Sequence, residues 1–240
     1  MRIAIISDIH GNLPALEAVL AEIARMRPDT ICCLGDIVGY GPFPDECITL
    51  VRKQCNLVVK GNHDSGLLGE TSLADFNQYG QRAIRWTTGM VAAENLAFLR
   101  GLPLVTTAGP VTLVHASPAN PGAWNYVFTM DAAREGFKAL TTDIACIGHT
   151  HVPVVIGEDL SINTFHAPRA EEAEPCRFLI NVGSVGQPRD GDPRSAFGFL
   201  DTTAWTYELV RVEYDVEGTA AAILKAGLPD ALARRLFRGV

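Results

Sequence analysis

The sequence predicts an α/β protein, and two observations carry that prediction. Short apolar runs rich in β-branched residues each end in a polar string: Ile3-Ala4-Ile5-Ile6 before Asp8, Thr30-Ile31-Cys32-Cys33-Leu34 before Gly35-Asp36, Leu57-Val58-Val59 before Asn62, Val111-Thr112-Leu113-Val114 before His115, and Ile144-Ala145-Cys146-Ile147 before His149. Between several of these runs lie segments whose apolar residues recur at helical spacing. Runs of this kind read as strands buried on both faces. The polar residues then fall at the strand ends, the edge at which open α/β sheets bind ligands.

Taken in order, Ile3 to Ile6 forms the first strand. Asn12 caps a helix opening at Leu13-Pro14, because asparagine accepts from free amides and proline suits a first turn. Leu13, Leu16, Leu20, Ile23 and Met26 make its buried stripe. Asp29-Thr30 opens the second strand, Gly39-Tyr40-Gly41-Pro42 makes a loop, and a helix runs from Pro44-Asp45 to about Lys53. A third strand delivers Asn62. From Ser72 to Arg100, Leu73, Phe76, Tyr79, Ile84, Trp86, Val91, Leu96 and Leu99 predict two helices broken near Gly89, a helical insert at about 72–100 that covers the sheet. Ser117 to Tyr126 is a proline- and glycine-rich loop beside His115, placed to wall a pocket.

Beyond His151, Val154-Val155-Ile156, Phe178-Leu179-Ile180, Ala196 to Leu200 and Thr206 to Val210 predict strands of a second sheet packed on the first. Asp159 to Pro175 is a polar, acidic excursion whose His166 reads as a solvated loop residue. Arg234, Arg235 and Arg238 in the helical tail read as a solvated face. Residues 1–240 are read as one domain.

A net charge of −7 argues against a basic surface gripping long nucleic acid. No stretch approaches the ~18 apolar residues of a membrane span, and Asp8 comes too early for a signal peptide, so a cytoplasmic location is expected. Cys32, Cys33 and Cys146 lie in strand runs and Cys47 on a helix, as reduced packing residues; Cys55 and Cys176 have more polar surroundings.

Five of the six histidines, His10, His63, His115, His149 and His151, belong to the polar strings. Neutral imidazole with carboxylate is the ligand set of hard and borderline divalent metals. In this order Asp8-x-His10, Gly35-Asp36-x-x-Gly39, Gly61-Asn62-His63-Asp64, the lone His115 and Gly148-His149-x-His151 resemble the calcineurin-like binuclear metallophosphoesterases. Asn181 to Arg189 resembles the loop that follows in the small bacterial phosphodiesterase branch, and Gly39-Tyr40-Gly41-Pro42 with the helices through Trp86 is similar to a diadenosine tetraphosphatase-related subgroup.

The resemblance implies a metallo-dependent phosphatase fold, a mixed β-sandwich of two sheets flanked by helices. It further implies two divalent metal ions bridged by Asp36, one carboxylate oxygen to each. Asp8, His10 and His151 would complete one site, and Asn62, His115 and His149 the other. Residues two apart in an extended segment point the same way, which lets Asp8 and His10 face one metal. Manganese is favoured, with Fe²⁺, Ni²⁺, Co²⁺ and Zn²⁺ compatible with a cysteine-free ligand set. His63 would protonate the leaving oxygen or stabilise phosphoryl charge, with Asp64 holding its ring. Asn12, Tyr40, Trp124, Tyr126 and Arg189 are candidate substrate contacts, the aromatic ones by stacking on a nucleobase.

The function implied is hydrolysis of a small phosphodiester or nucleotide by a metal-bridging hydroxide. A phosphomonoesterase or protein phosphatase is the enzymatic alternative, for which Arg189 and Arg194 are candidate phosphate clamps. A non-catalytic scaffold of the same fold is the other alternative, and the intact His63 speaks against it.

Overall fold

The computed structural model describes residues 1–163 and 177–240. β1 (Arg2–Ile6) leads through α1 (Leu13–Met26) to β2 (Thr30–Cys33), and through α2 (Pro44–Gln54) to β3 (Leu57–Val58). Next come α3 (Asn62–Leu67), α4 (Gln78–Thr87), α5 (Ala93–Gly101), β4 (Val105–Ala108), β5 (Val111–Val114), α6 (Met130–Ala139) and β6 (Ile144–Ile147). The remainder is β7 (Val154–Gly157), β8 (Ile162–Asn163), β9 (Phe178–Asn181), β10 (Ser195–Asp201), β11 (Thr206–Val212), α7 (Val216–Lys225) and α8 (Asp230–Leu236). None of the described helices is long and apolar enough to cross a membrane. Residues 164–175, with His166, and Cys176 lie outside the described residues.

Two mixed sheets result, in the orders β11-β10-β1-β2-β3 and β4-β5-β6-β9-β7-β8. The parallel pairs β1–β2 and β5–β6 are joined by helix-bearing crossovers, as parallel geometry requires. Alternation along β1 shows why it is apolar throughout. Ile3 and Ile5 face the layer between the sheets, together with Leu113, Cys146 and Ile180. Ala4 and Ile6 face outward onto Leu16, Val19 and Ile23 of α1 and Ile48 of α2. On the far side, Ala133 and Phe137 of α6 cover Ala145 and Ile147 of β6. The order is helix, sheet, sheet, helix.

Asn12 caps α1 as expected, accepting from the Ala15 amide at 3.2 Å. The insert divides its work. Leu99 of α5 joins the core outside the first sheet, whereas Ala83 of α4 packs with α7 and α8 around Tyr40.

One expectation is corrected. β10 and β11 do not belong to the second sheet: β10 pairs antiparallel with β1, Gly198 opposite Ile5, and β11 forms the outer edge of that first sheet. With β2 on one side of β1, the other edge still needs backbone partners, and the late hairpin supplies them.

Candidate metal centre

The ends of β1, β2, β5 and β6 and the start of α3 converge at one edge of the sandwich. Asp8, His10, Asp36, Tyr40, His149 and His151 there all have left-handed backbones, with φ between 52° and 67°. Non-glycine residues pay roughly 1–3 kcal/mol each for such conformations, which persist only where neighbouring structure imposes them. Crossed backbone bonds do so here. Asp8 N–H donates to Gly35 O at 3.1 Å, His10 N–H to Asp36 O at 2.9 Å, and Gly186 N–H to Asp8 O at 2.9 Å. Asp8 and His10 therefore share a face through left-handed turns rather than through extended alternation.

Three imidazoles are fixed by backbone carbonyls. Nδ1 of His10 meets Val38 O at 3.0 Å, Nδ1 of His115 meets Leu34 O at 2.9 Å, and Nδ1 of His151 meets Gln187 O at 2.6 Å. A carbonyl only accepts, so each Nδ1 carries the hydrogen and each Nε2 presents a lone pair. Those lone pairs turn on one another and on carboxylates. His10 Nε2 lies 3.1 Å from His151 Nε2, and His151 Nε2 lies 3.3 Å from Asp8 Oδ1. Asp36 Oδ2 lies 3.6 Å from His10 Nε2 and 3.4 Å from His115 Nε2. Groups brought this close, with less than 3 % of these side chains exposed, call for positive charge among them, which a proton on an imidazole or a metal ion supplies, and carboxylate with imidazole suits a divalent ion.

Among the described residues the candidate ligand atoms fall into three groups of this kind: Asp8, His10 and His151; Asp36, His115 and His149; and His10, Asp36 and His63, which shares a residue with each of the other two. Asn62 joins the second through Oδ1, 3.2 Å from His115 Nε2. Seven of the residues expected as ligands are thus brought together. The two halves meet at the Asp36 carboxylate. Asp36 Oδ2 faces both sides, while Asp36 Oδ1 accepts from His63 N–H at 2.8 Å.

Charge within the cluster follows from burial and the carboxylates. Burial opposes a charged His115, yet Asp36, Asp8 and Asp64 outweigh it and lift its pKa to about 9. Burial and the neighbouring His115 push His149 down to about 3.

His63 is buried beside this cluster, edge-on to His10 at 4.8 Å and to Phe76 at 5.0 Å between ring centroids. Burial is the main force lowering its pKa to about 4, and its Nδ1 has no hydrogen-bond partner among the described residues. Asp64 does not hold that ring, contrary to expectation. Its Oδ1 accepts from Ile37 and Val38 N–H at 3.0 and 3.2 Å, and its Oδ2 from Gly61 N–H at 3.0 Å. It ties the β2 loop to the start of α3, while burial and then Asp36 raise its pKa to about 7. The close approach of these segments excludes a side chain at Gly61, whose Cβ would lie 2.2 Å from Asp36 Oδ1.

The candidate substrate contacts separate. Asn12 is 2 % exposed and its amide is occupied by Ala15 N–H and Gly186 O, so it positions loops. Tyr40 is also buried, packed at 4.7 Å against His10 and 4.6 Å against His63, which removes it as an open stacking face. Trp124 donates Nε1–H to Thr71 Oγ1 at 3.0 Å and anchors its loop. Tyr126 is open: 47 % exposed, it stacks on His149 at 3.9 Å and 18°. Phe128, 65 % exposed, continues the stack at 5.2 Å. Sequence reading missed Phe128, although its i, i+2 spacing from Tyr126 was visible.

Arg189 places its Cζ 5.8 Å from the Tyr40 ring centroid, whereas Arg194 is engaged by Asp192 at 2.7 Å. Arg235 departs from the solvated face expected of the tail, because its Cζ lies 6.0 Å from that same ring. Gln187, also missed, is buried and joins His151 to both Arg189 and Arg235.

Residues 1–204 match the model of the calcineurin-like phosphoesterase superfamily domain. The chain is 44% identical over 241 residues to an uncharacterized protein of Methanocaldococcus jannaschii, covering 99% of this chain and 98% of that one. It is also 44% identical to a metallophosphoesterase from Sphaerobacter thermophilus, whose crystal structure superimposes with a TM-score of 0.87 over 100% of this chain and 99% of the other. A symmetrical bis(5′-nucleosyl)-tetraphosphatase of Pectobacterium carotovorum is 30% identical over 142 residues, 58% of this chain and 50% of that protein. The chain thus aligns with about half the length of that tetraphosphatase.

Proposed function

The chain belongs to the calcineurin-like phosphoesterase superfamily, and we propose that it is a metal-dependent hydrolase of a small phosphodiester or nucleotide. The observation that carries this reading is the set of converging acceptors, Asp8 Oδ1, Asp36 Oδ2 and the Nε2 atoms of His10, His115 and His151. Asp8, His10, His151 and Asp36 hold one divalent ion; Asp36, Asn62, His115 and His149 hold a second. Manganese fits this donor set, as do iron, nickel, cobalt and zinc. When bound, such a pair neutralises phosphoryl oxygens and lowers the pKa of water toward neutrality.

The protein's own groups supply the rest. His63, neutral at pH 7 in the free protein, donates an N–H to a phosphoryl oxygen. It becomes the proton source for the leaving oxygen once an anionic substrate favours its charged form. The backbone N–H of His63 and the loops tied by Asp64 keep Asp36 and this ring in register. Tyr126 and Phe128 offer an open aromatic ledge beside His149, which supports a substrate carrying a nucleobase. The reading is of a cytoplasmic enzyme, consistent with Cys32, Cys33, Cys47, Cys55 and Cys146 all being free thiols.

The test is reconstitution. Chelated protein should lose phosphoesterase activity and recover it on taking up two manganese ions per chain, with a nitrophenyl diester turned over faster than the matching monoester. Full turnover with one ion or none would sink the two-ion reading; a monoester preference would move the assignment to a phosphomonoesterase.

A further inference from the structure

Helix α8 carries two adjacent arginines with different surroundings. Arg234 has a 74 % exposed side chain and pairs with Asp230 at 2.9 Å. Arg235 turns inward and donates from Nη1 to Gln187 Oε1 at 3.0 Å. Arg189 donates from Nη2 to that same oxygen at 2.8 Å. Two guanidinium groups therefore share one neutral acceptor.

Neither has a carboxylate partner among the described residues. The nearby acids are engaged elsewhere: Asp190 pairs with Arg211, Asp192 with Arg194 and Asp230 with Arg234. Nε of Arg189 is buried without an acceptor. Burial and then the charge of Arg189 lower the pKa of Arg235, so holding the two cations together has a cost. An oxyanion would remove that cost. Guanidinium forks match phosphate oxygens and bind them through paired, charge-assisted hydrogen bonds.

The pair stands one ring away from the candidate metal centre. Both guanidinium groups lie over Tyr40, at 5.8 and 6.0 Å, and Tyr40 packs directly on His10 and His63. The main chain of Gln187 accepts from His151 Nδ1 while its side chain holds both arginines. A group bound there is adjacent to the reacting phosphoryl group but separate from it.

We propose that Arg189 and Arg235 form a second oxyanion subsite that receives a non-reacting phosphate, selecting substrates of the nucleoside polyphosphate class over simple diesters. This rests on the phosphoesterase reading of the neighbouring site. Arg235 lies beyond the matched residues 1–204, so the subsite is assembled by the C-terminal helices of this chain and not by the family domain alone.

Calorimetry on manganese-loaded protein, at buffered free metal, tests it with methylenebisphosphonate and orthophosphate. Wild type should bind the bisphosphonate about tenfold or more tighter than orthophosphate, the extra margin coming from one charge-assisted pair. Arg235→Met and Arg189→Met should each lose that margin, Arg234→Met should keep it, and Arg235→Lys should recover part. A wild-type margin in both folded Arg→Met variants, or no margin in wild type, overturns the subsite. Wild type that binds neither anion and hydrolyses no phosphoester overturns the phosphoesterase reading and the subsite with it.

Discussion

Gly39 offers a way to move His63 without touching a metal ligand. Its φ is +90°, and a Cβ there would lie 2.3 Å from His63 Nδ1 and 3.0 Å from its Cγ. The loop has little freedom to retreat. Asp64 holds the amides of Ile37 and Val38 just before it, and Gly41 N–H bonds Gly39 O at 2.7 Å just after. In Gly39→Ala the imidazole must therefore withdraw by about 1 Å to reach ordinary contact near ~3.5 Å. Misplacing a reacting group by about 1 Å costs ~10²-fold in rate. The left-handed backbone adds ~1–2 kcal/mol for the new Cβ, and at ~2–4 °C per kcal/mol for a chain of this size the melting temperature should fall by roughly 2–8 °C. The assay is steady-state turnover of an alkyl phosphodiester with metal content measured on the same sample. Two retained metals with an approximately hundredfold lower kcat is the expected result. A folded, metal-replete variant with near-normal turnover would refute the placement of His63 at the reaction, and loss of metal would show that the loop supports ligands instead.

Asp36→Asn keeps shape and can still accept from His63 N–H, but it places a neutral amide between the two halves of the centre. It should lose metal occupancy and nearly all activity while remaining folded, and two retained metals with normal turnover would remove Asp36 from the bridge. His63→Ala should keep both metals and lose more rate on an alkoxide leaving group than on nitrophenolate, which departs without a proton; equal losses would move His63 to phosphoryl binding. His63 also predicts a pH effect in chelated protein. Its folded pKa of about 4 lies below the ordinary 6.5, so the unfolded chain binds more protons between these values and stability falls as pH drops through that window. Asp64, raised to about 7, pulls the opposite way, so the His63 contribution must be read as a difference. Denaturant titration should find His63→Gln gaining up to ~2–3 kcal/mol on wild type between pH 7.5 and pH 4.5; a constant or reversed difference would contradict a neutral buried ring.

Much of the candidate centre was legible in the chain because its chemistry is local. Apolar runs at β1, β2, β5 and β6 are each followed within a few residues by Asp8, Asp36, His115 and His149, so strand ends and donor types are written side by side. Caps and breaks read equally well, as at Asn12 and near Gly89, because they depend on neighbours within one turn.

What the sequence determined by itself was the α/β class, the identity of the metal-type donors and their arrival at strand ends, since hydrophobic period and ligand chemistry are properties of short segments. Only the tertiary structure decided how those segments meet. β10 joins β1 across almost the whole chain, Gly198 against Ile5, because an open strand edge takes whichever partner the fold returns to it. Left-handed turns at Asp8 and His10, and not strand alternation, aim both side chains inward, because bonds from Gly35, Asp36 and Gly186 impose them. Asp64 was drawn from His63 to three backbone amides by the packing of two loops. Arg235 was drawn from solvent to Gln187 by the seating of α8 on Tyr40. In each case a polar group was claimed by a partner distant in sequence, and burial made leaving it unpaired too costly.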